Sequence, residues 1–255
     1  MHVPPPIQAF MEGSRCDPVH IGKSKASVFR LTTRTGTMFL KTCAIAENGG
    51  LSAETERLRW LAGRLRVPDV VSFAKADGRE YLLVTGLAGV NGVEAGHERP
   101  EDVISELAQA LKMLHAQPVE GCPFDQTVAA QISRAQQRVP AGVVDEADFD
   151  EERLGSTAQE LLTELEAWRP VDESRALTHG DPCLPNVLFD KGQFVGFIDC
   201  DRVGVADPYQ DLALAARSIG SNLGRSWVPV FFRQYGIDNP DERKLAFYRL
   251  LDEFF

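Results

Sequence analysis

Two short apolar runs, Val187-Leu188-Phe189 and Phe194-Val195-Gly196-Phe197-Ile198, stand on either side of Asp190-Lys191-Gly192. Apolar runs of strand length around such a turn signal fold back as a hairpin. The polar residues at the open end of the hairpin then become neighbours, although they are far apart in the chain. On the entering side they are Asp181 and Asn186, within His179-Gly180-Asp181-Pro182-Cys183-Leu184-Pro185-Asn186; on the leaving side stands Asp199. Pro182 biases Asp181 toward extended backbone, which suits a side chain projecting from a loop.

An Asp followed five positions later by an Asn is explained equally well by a capped turn. With the hairpin and Asp199 attached, the set matches what a metal-nucleotide phosphotransferase requires. One Asp accepts the substrate hydroxyl proton, while the Asn and the second Asp hold the magnesium that bridges the ATP phosphates. The expectation is a kinase of a small molecule.

With 255 residues the chain can bury a large core as one big domain or two modest lobes. No apolar stretch approaches the ~18 residues of a membrane helix, and Met1-His2-Val3-Pro4-Pro5-Pro6 lacks the basic start and apolar core of a secretory signal. A soluble cytoplasmic protein is therefore expected; a monomer is a separate expectation. The five cysteines, Cys16, Cys43, Cys122, Cys183 and Cys200, are scattered without Cys-x-x-Cys or metal-ligand spacing, which argues against structural disulfides and zinc. Cys183 and Cys200 fall in the candidate site but read as small buried hydrophobes. A net charge of -10 argues against nucleic acid as partner and favours a cationic small molecule.

The first stretch is strand-rich. Ser27–Leu31 and Thr37–Lys41 flank Arg34-Thr35-Gly36, and Glu80–Val84 follows the turn Asp77-Gly78. Between them the spacing predicts a helix over Leu51–Leu65, with Leu51, Leu58, Leu61 and Leu65 on one face. Glu54 shares that apolar face and must find a partner to offset its desolvation. Lys41 is the obvious one, because a kinase strand lysine that grips the phosphates is held by a helix glutamate. The loop Gly22–Ser27 precedes the first strand as a phosphate-covering loop would, though it is not Gly-x-Gly-x-x-Gly. Thr85–Gly89 breaks the periodicity and reads as a hinge, dividing a nucleotide-binding lobe (1–86) from a helical lobe (87–255). Beyond it, helices are expected from Pro100 through Leu114, around Val128–Ala135, around Leu161–Trp168, and near 208–219, 227–235 and 241–253. His97 and His115 read as structural or solvated. The layout is α+β and bilobal, with the nucleotide expected in the cleft.

Two acidic clusters remain. Asp145, Glu146, Asp148, Asp150, Glu151 and Glu152 read as the solvated start of the helix that follows, where acids suit the dipole, and Asp252-Glu253-Phe254-Phe255 stands at the end of the sequence. The strings HGDPCLPN, GFIDCDRVGVADPYQDLALA and FYRLLDEFF closely resemble the bacterial aminoglycoside 3'-phosphotransferases of the kanamycin and neomycin resistance type, a likeness running in order from the Lys41 strand to Phe255. The resemblance implies a protein-kinase-like fold that moves the γ-phosphoryl group of ATP, with GTP the alternative nucleotide, to the 3'-hydroxyl of an aminoglycoside. It makes Asp181 the base, Asn186 and Asp199 the magnesium ligands, and Lys41 with Glu54 the phosphate grip. Ser24 would cover the phosphates, and the backbones of Thr85 and Leu87 would meet adenine. Asp148, Asp150, Glu151, Arg202, Asp252, Glu253 and the carboxylate of Phe255 match positions that line the antibiotic pocket.

The electrostatics agree. Each ammonium–carboxylate pair at ~4 Å near a protein surface is worth a gross ~4 kcal/mol before desolvation, and micromolar binding needs only about 8 kcal/mol. One departure stands out: the resemblance leads to Gly at position 201, where this chain has Asp201, a change that bears on drug spectrum more than on chemistry. The alternatives are a kinase of another hydroxylated metabolite, such as choline, homoserine or a sugar amine, and a catalytically dead nucleotide-binding regulator. The first offers at most one cation to the acidic clusters; the second usually lacks a lysine, base or metal ligand that is present here.

Overall fold

Residues 80–84 are buried on both faces, which only a central strand can be. The computed structural model describes residues 3–19, 26–45 and 50–255 and places that strand accordingly. In chain order come α1 (Pro5–Met11), β1 (Arg15–Val19), β2 (Ser27–Thr32), β3 (Thr37–Ala44), α2 (Leu51–Leu61), β4 (Val70–Ala76), β5 (Arg79–Thr85), β6 (Val90–Asn91) and α3 (Gly92–Glu98). Strands β1 to β5 form an antiparallel sheet ordered β1-β2-β3-β5-β4. Alternation then sorts β3 by face. Leu40 points to a core with Ile7, Leu31, Tyr81 and Leu83, while Lys41, paired in register with Leu82, points to the opposite face.

After α4 (Pro100–His115), α5 (Val128–Arg138), α6 (Ala158–Ala167) and β7 (Ala176–Thr178), the chain makes the hairpin of β8 (Val187–Asp190) and β9 (Gln193–Phe197). It closes with β10 (Gly204–Ala206), α7 (Tyr209–Asn222), α8 (Val228–Tyr235) and α9 (Glu242–Asp252). Two compact units result, one of residues Met1–Arg99 and Leu184–Arg202, the other of Pro100–Cys183 and Val203–Phe255. In the first, the hairpin extends a three-stranded sheet ordered β6-β8-β9. Gly196 in β9 permits this, since a Cβ there would lie 2.5 Å from the carbonyl oxygen of Arg66. In the second, α4 buries Val103, Ile104, Leu107, Leu111 and Leu114, each such side chain stabilising by about 1.5–3 kcal/mol. Among the described residues no helix is long and apolar enough to cross a membrane.

Two expectations are corrected. Helix α2 stops at Leu61 instead of Leu65, because Gly63 takes a positive φ of 75° and turns the chain out. The acidic stretch is not the first turn of a helix but two 3-10 turns, Glu146–Asp148 and Glu151–Arg153. Helix α6 starts later, where Thr157 and Glu160 form a capping box; Glu146 still reaches that end, accepting the Ala158 N–H at 2.7 Å.

Candidate active site

In the first unit the site is built around a lysine. Lys41 reaches across from β3 to α2, where its Nζ lies 2.7 Å from Glu54 Oε1, and it also contacts Asp199 Oδ1. Both partners of the Lys41–Glu54 pair are largely enclosed, their side chains 14% and 6% exposed. Burial alone would pull the ammonium down, yet the two carboxylates hold it well above its ordinary value, so Lys41 stays charged. The N-terminus of α2 is fixed from the sheet: buried Glu80 of β5 accepts the Ser52 N–H at 3.1 Å and pairs with Lys75 at 2.8 Å.

Asn186 ends a 3-10 turn immediately before β8, and Asp199 follows β9. The Ile198 N–H donates to the Asn186 carbonyl at 2.9 Å, locking the open end of the hairpin next to both residues. Asp199 has a φ of 57°, which a non-glycine residue keeps only when its surroundings impose it. Asp201 is exposed and Arg202 half-buried on the turn that follows. Thr85 ends β5, and its N–H donates to the Asp69 carbonyl at 3.0 Å. Leu87 is half-buried and packs where a Cβ on Gly196 would go. Ser24 lies outside the described residues.

In the second unit the loop carrying Asp181 hangs on one buried carboxylate. Asp211 of α7 is fully enclosed and accepts the N–H groups of His179 and Gly180, each at 2.8 Å. Its Oδ2 also faces His115 Nε2 at 3.0 Å, and His115 Nδ1 faces the Tyr235 hydroxyl at 2.7 Å. Burial, and then the charge of Asp211, push the Tyr235 phenol up to about 12. A carboxylate only accepts, so His115 Nε2 donates to Asp211 Oδ2. Gly180 turns the chain at a φ of 91°, and half-buried Asp181 follows, its N–H 3.3 Å from His179 Nδ1. Burial pushes the thiols of Cys183 and Cys200 well up, in keeping with inert side chains; all five cysteines are free thiols.

The expected antibiotic-pocket residues divide by environment. Asp148 and Glu151 are exposed. Asp150 and Asp252 are both gripped by Arg217 of α7, Nη1 meeting Asp150 Oδ2 at 2.8 Å and Nη2 meeting Asp252 Oδ2 at 2.5 Å. The Glu253 side chain is 4% exposed, lies 3.2 Å from Arg153 Nη1 and accepts the Asp150 N–H at 3.1 Å, which gives it a structural task. The Phe255 ring is exposed beneath Arg138, whose guanidinium carbon is 5.6 Å from the ring centroid.

Comparison with known proteins decides what these arrangements belong to. A family model described as the phosphotransferase enzyme family, APH, matches residues 16–248. The chain belongs to that family. An aminoglycoside 3'-phosphotransferase of Streptomyces fradiae is 39% identical over 93% of this chain and 94% of its own length. The crystal structure of an aminoglycoside 3'-phosphotransferase of type VIII superposes with a TM-score of 0.86 at 38% identity, covering 98% of this chain and 97% of that one. APH(3'')-Id from Streptomyces rimosus, in complex with ADP and streptomycin, gives a TM-score of 0.79 at 28% identity over 94% of this chain and 92% of that one.

For this APH phosphotransferase, sequence reasoning missed Asp211 and Arg217. Both lie on one apolar-looking helix, Tyr209–Asn222, and only the folded partners reveal their tasks. A signal for Asp211 existed: a carboxylate among Leu212, Ala213 and Leu214 must be satisfied inside the fold.

Proposed function

We propose that the protein transfers the γ-phosphoryl group of ATP to the 3'-hydroxyl of an aminoglycoside, inactivating the antibiotic. The observation that carries this reading is the buried, charged Lys41 held between Glu54 and Asp199, an ammonium maintained where phosphate charge is to be neutralised. Similarity to named aminoglycoside 3'-phosphotransferases along nearly the whole chain supports the choice of acceptor. The 3'-oxygen gives its proton to Asp181 as it bonds to the γ-phosphorus, and the bond from that phosphorus to the leaving ADP oxygen breaks. The Lys41 ammonium stabilises the charge on the phosphates, and positioning with electrostatics supplies most of the rate. Residues 1–86 serve the nucleotide, with the Thr85 carbonyl and Leu87 meeting adenine and Ser24 covering the phosphates.

Asn186 and Asp199 suit magnesium. They are oxygen donors on a locked hairpin end, Asp199 is half-exposed in a left-handed conformation, and a pair of protein ligands leaves room for water and phosphate oxygens. When bound, the ion neutralises charge on the transferring phosphates. On the antibiotic side the acids Asp148, Asp150, Glu151 and Asp252, with Glu253 and Phe255 beside them, attract ammonium groups.

The test is a coupled ADP-release assay with magnesium, ATP and either kanamycin or tobramycin, which lacks the 3'-hydroxyl. Turnover of kanamycin alone is expected; equal turnover of both would refute the regiochemistry.

A further inference from the structure

Three carboxylates of the expected antibiotic pocket, Asp150, Asp252 and Glu253, are met in the second unit by two guanidinium groups, Arg217 and Arg153. Glu253 is enclosed and occupied by Arg153 and the Asp150 amide. Arg217 is different, because it bridges two acids, Asp150 with a side-chain exposure of 36% and Asp252 with 13%, and is itself 25% exposed. One nitrogen goes to each acid, so the guanidinium sets their separation and neutralises half of their joint charge. The residues come from three places, the loop before α6, the middle of α7 and the end of α9, and the Asp150 N–H bond to Glu253 already joins two of those segments without Arg217.

We propose that Arg217 is a specificity-determining residue of the antibiotic pocket: a resident guanidinium that occupies part of the charge of Asp150 and Asp252 and so limits how strongly that corner attracts ammonium groups. This rests on the aminoglycoside reading above. A pocket of bare carboxylates would bind any polyamine by charge alone. With Arg217 in place the corner carries one net negative charge from the two acids and is selective by geometry.

The experiment uses the full chain, with kanamycin as the probe, in the wild type, Arg217→Gln and Arg217→Lys. The kanamycin KM and calorimetric Kd are measured from low to high salt, with the KM for ATP as control. Arg217→Gln keeps a planar hydrogen-bonding head but removes the charge. At low salt its kanamycin Kd falls about tenfold, the advantage fades as salt screens the pocket, and the KM for ATP stays within about twofold. Arg217→Lys keeps the charge and follows the wild type within about threefold at every salt concentration. A kanamycin Kd in Arg217→Gln that rises, or that is unchanged at low salt, overturns the proposal. If the Gln variant does not fold, Arg217→Lys decides alone, because a purely structural fork would lose affinity when replaced by an ammonium. If wild-type protein turns over no aminoglycoside, the functional reading fails; if it does and the salt dependence of the variants contradicts expectation, only the role of Arg217 fails.

Discussion

Replacing Asp211 by Asn changes one atom and tests whether the loop before Asp181 is held from behind. Oδ2 accepts from the His179 N–H and His115 Nε2, and Oδ1 accepts from the Gly180 N–H. An asparagine amide nitrogen placed at Oδ2 faces the His179 N–H, and placed at Oδ1 it faces the Gly180 N–H. In either orientation one buried backbone donor loses its acceptor. A hydrogen bond to a charged group is worth about 1.5–3 kcal/mol, and an unsatisfied buried amide costs about 1–3 kcal/mol; the remaining bonds also lose their charge assistance. A loss of about 3–5 kcal/mol follows, a large share of the ~5–15 kcal/mol that keeps a domain folded. The loop shift should also misplace Asp181, and about 1 Å of misplacement costs on the order of 10²-fold in rate. The assay is urea unfolding alongside steady-state kinetics with kanamycin and ATP. The expected result is a lowered midpoint and a kcat down about a hundredfold, with the KM for ATP within about threefold of wild type. An Asp211→Asn protein with wild-type midpoint and kcat would refute the reasoning.

Asp181→Ala should lower kcat by about 10²- to 10⁴-fold, the usual worth of a general base, while nucleotide affinity by calorimetry is nearly unchanged; an active variant would show that the base has been misassigned. Glu80 supplies a pH dependence. Burial would raise its carboxyl, but hydrogen bonds from Lys75 and Ser52 outweigh this and hold it below its ordinary value of 4.5. Its folded value is thus the lower one, so its contribution to stability is fully present above 4.5 and fades as pH falls through the lowered folded value. Thermal midpoints measured from pH 6 downward should therefore converge for wild type and Glu80→Gln. A gap that stays constant into acid would contradict the linkage.

What could be read from the sequence is what short-range rules encode. The hairpin of β8 and β9 was legible because a turn signal stood between two apolar runs, and it delivered the neighbourhood of Asn186 and Asp199 with it. The Lys41–Glu54 pair was legible because a carboxylate on an apolar helix face demands a cation, and the kinase pattern named one. Strand β1 was not, since Arg15-Cys16-Asp17-Pro18-Val19 alternates poorly and its proline is tolerable only because β1 lies at the sheet edge. The acidic stretch misled, because charge at a helix start is a weaker signal than the capping box that begins α6.

The partners of Asp211 and Arg217 were illegible for a different reason. His115, His179 and Tyr235 are brought to Asp211 from α4, the loop after β7 and α8, and no period in the chain relates their positions. Burial states only that a carboxylate needs a partner; connectivity selects which one. Arg217 shows the consequence for function, because Asp150 and Asp252 look in sequence like two uncommitted charges awaiting a cationic ligand. A reading from composition therefore overstates the uncompensated charge on these two acids. The fold lowers that charge by assigning one guanidinium to both acids.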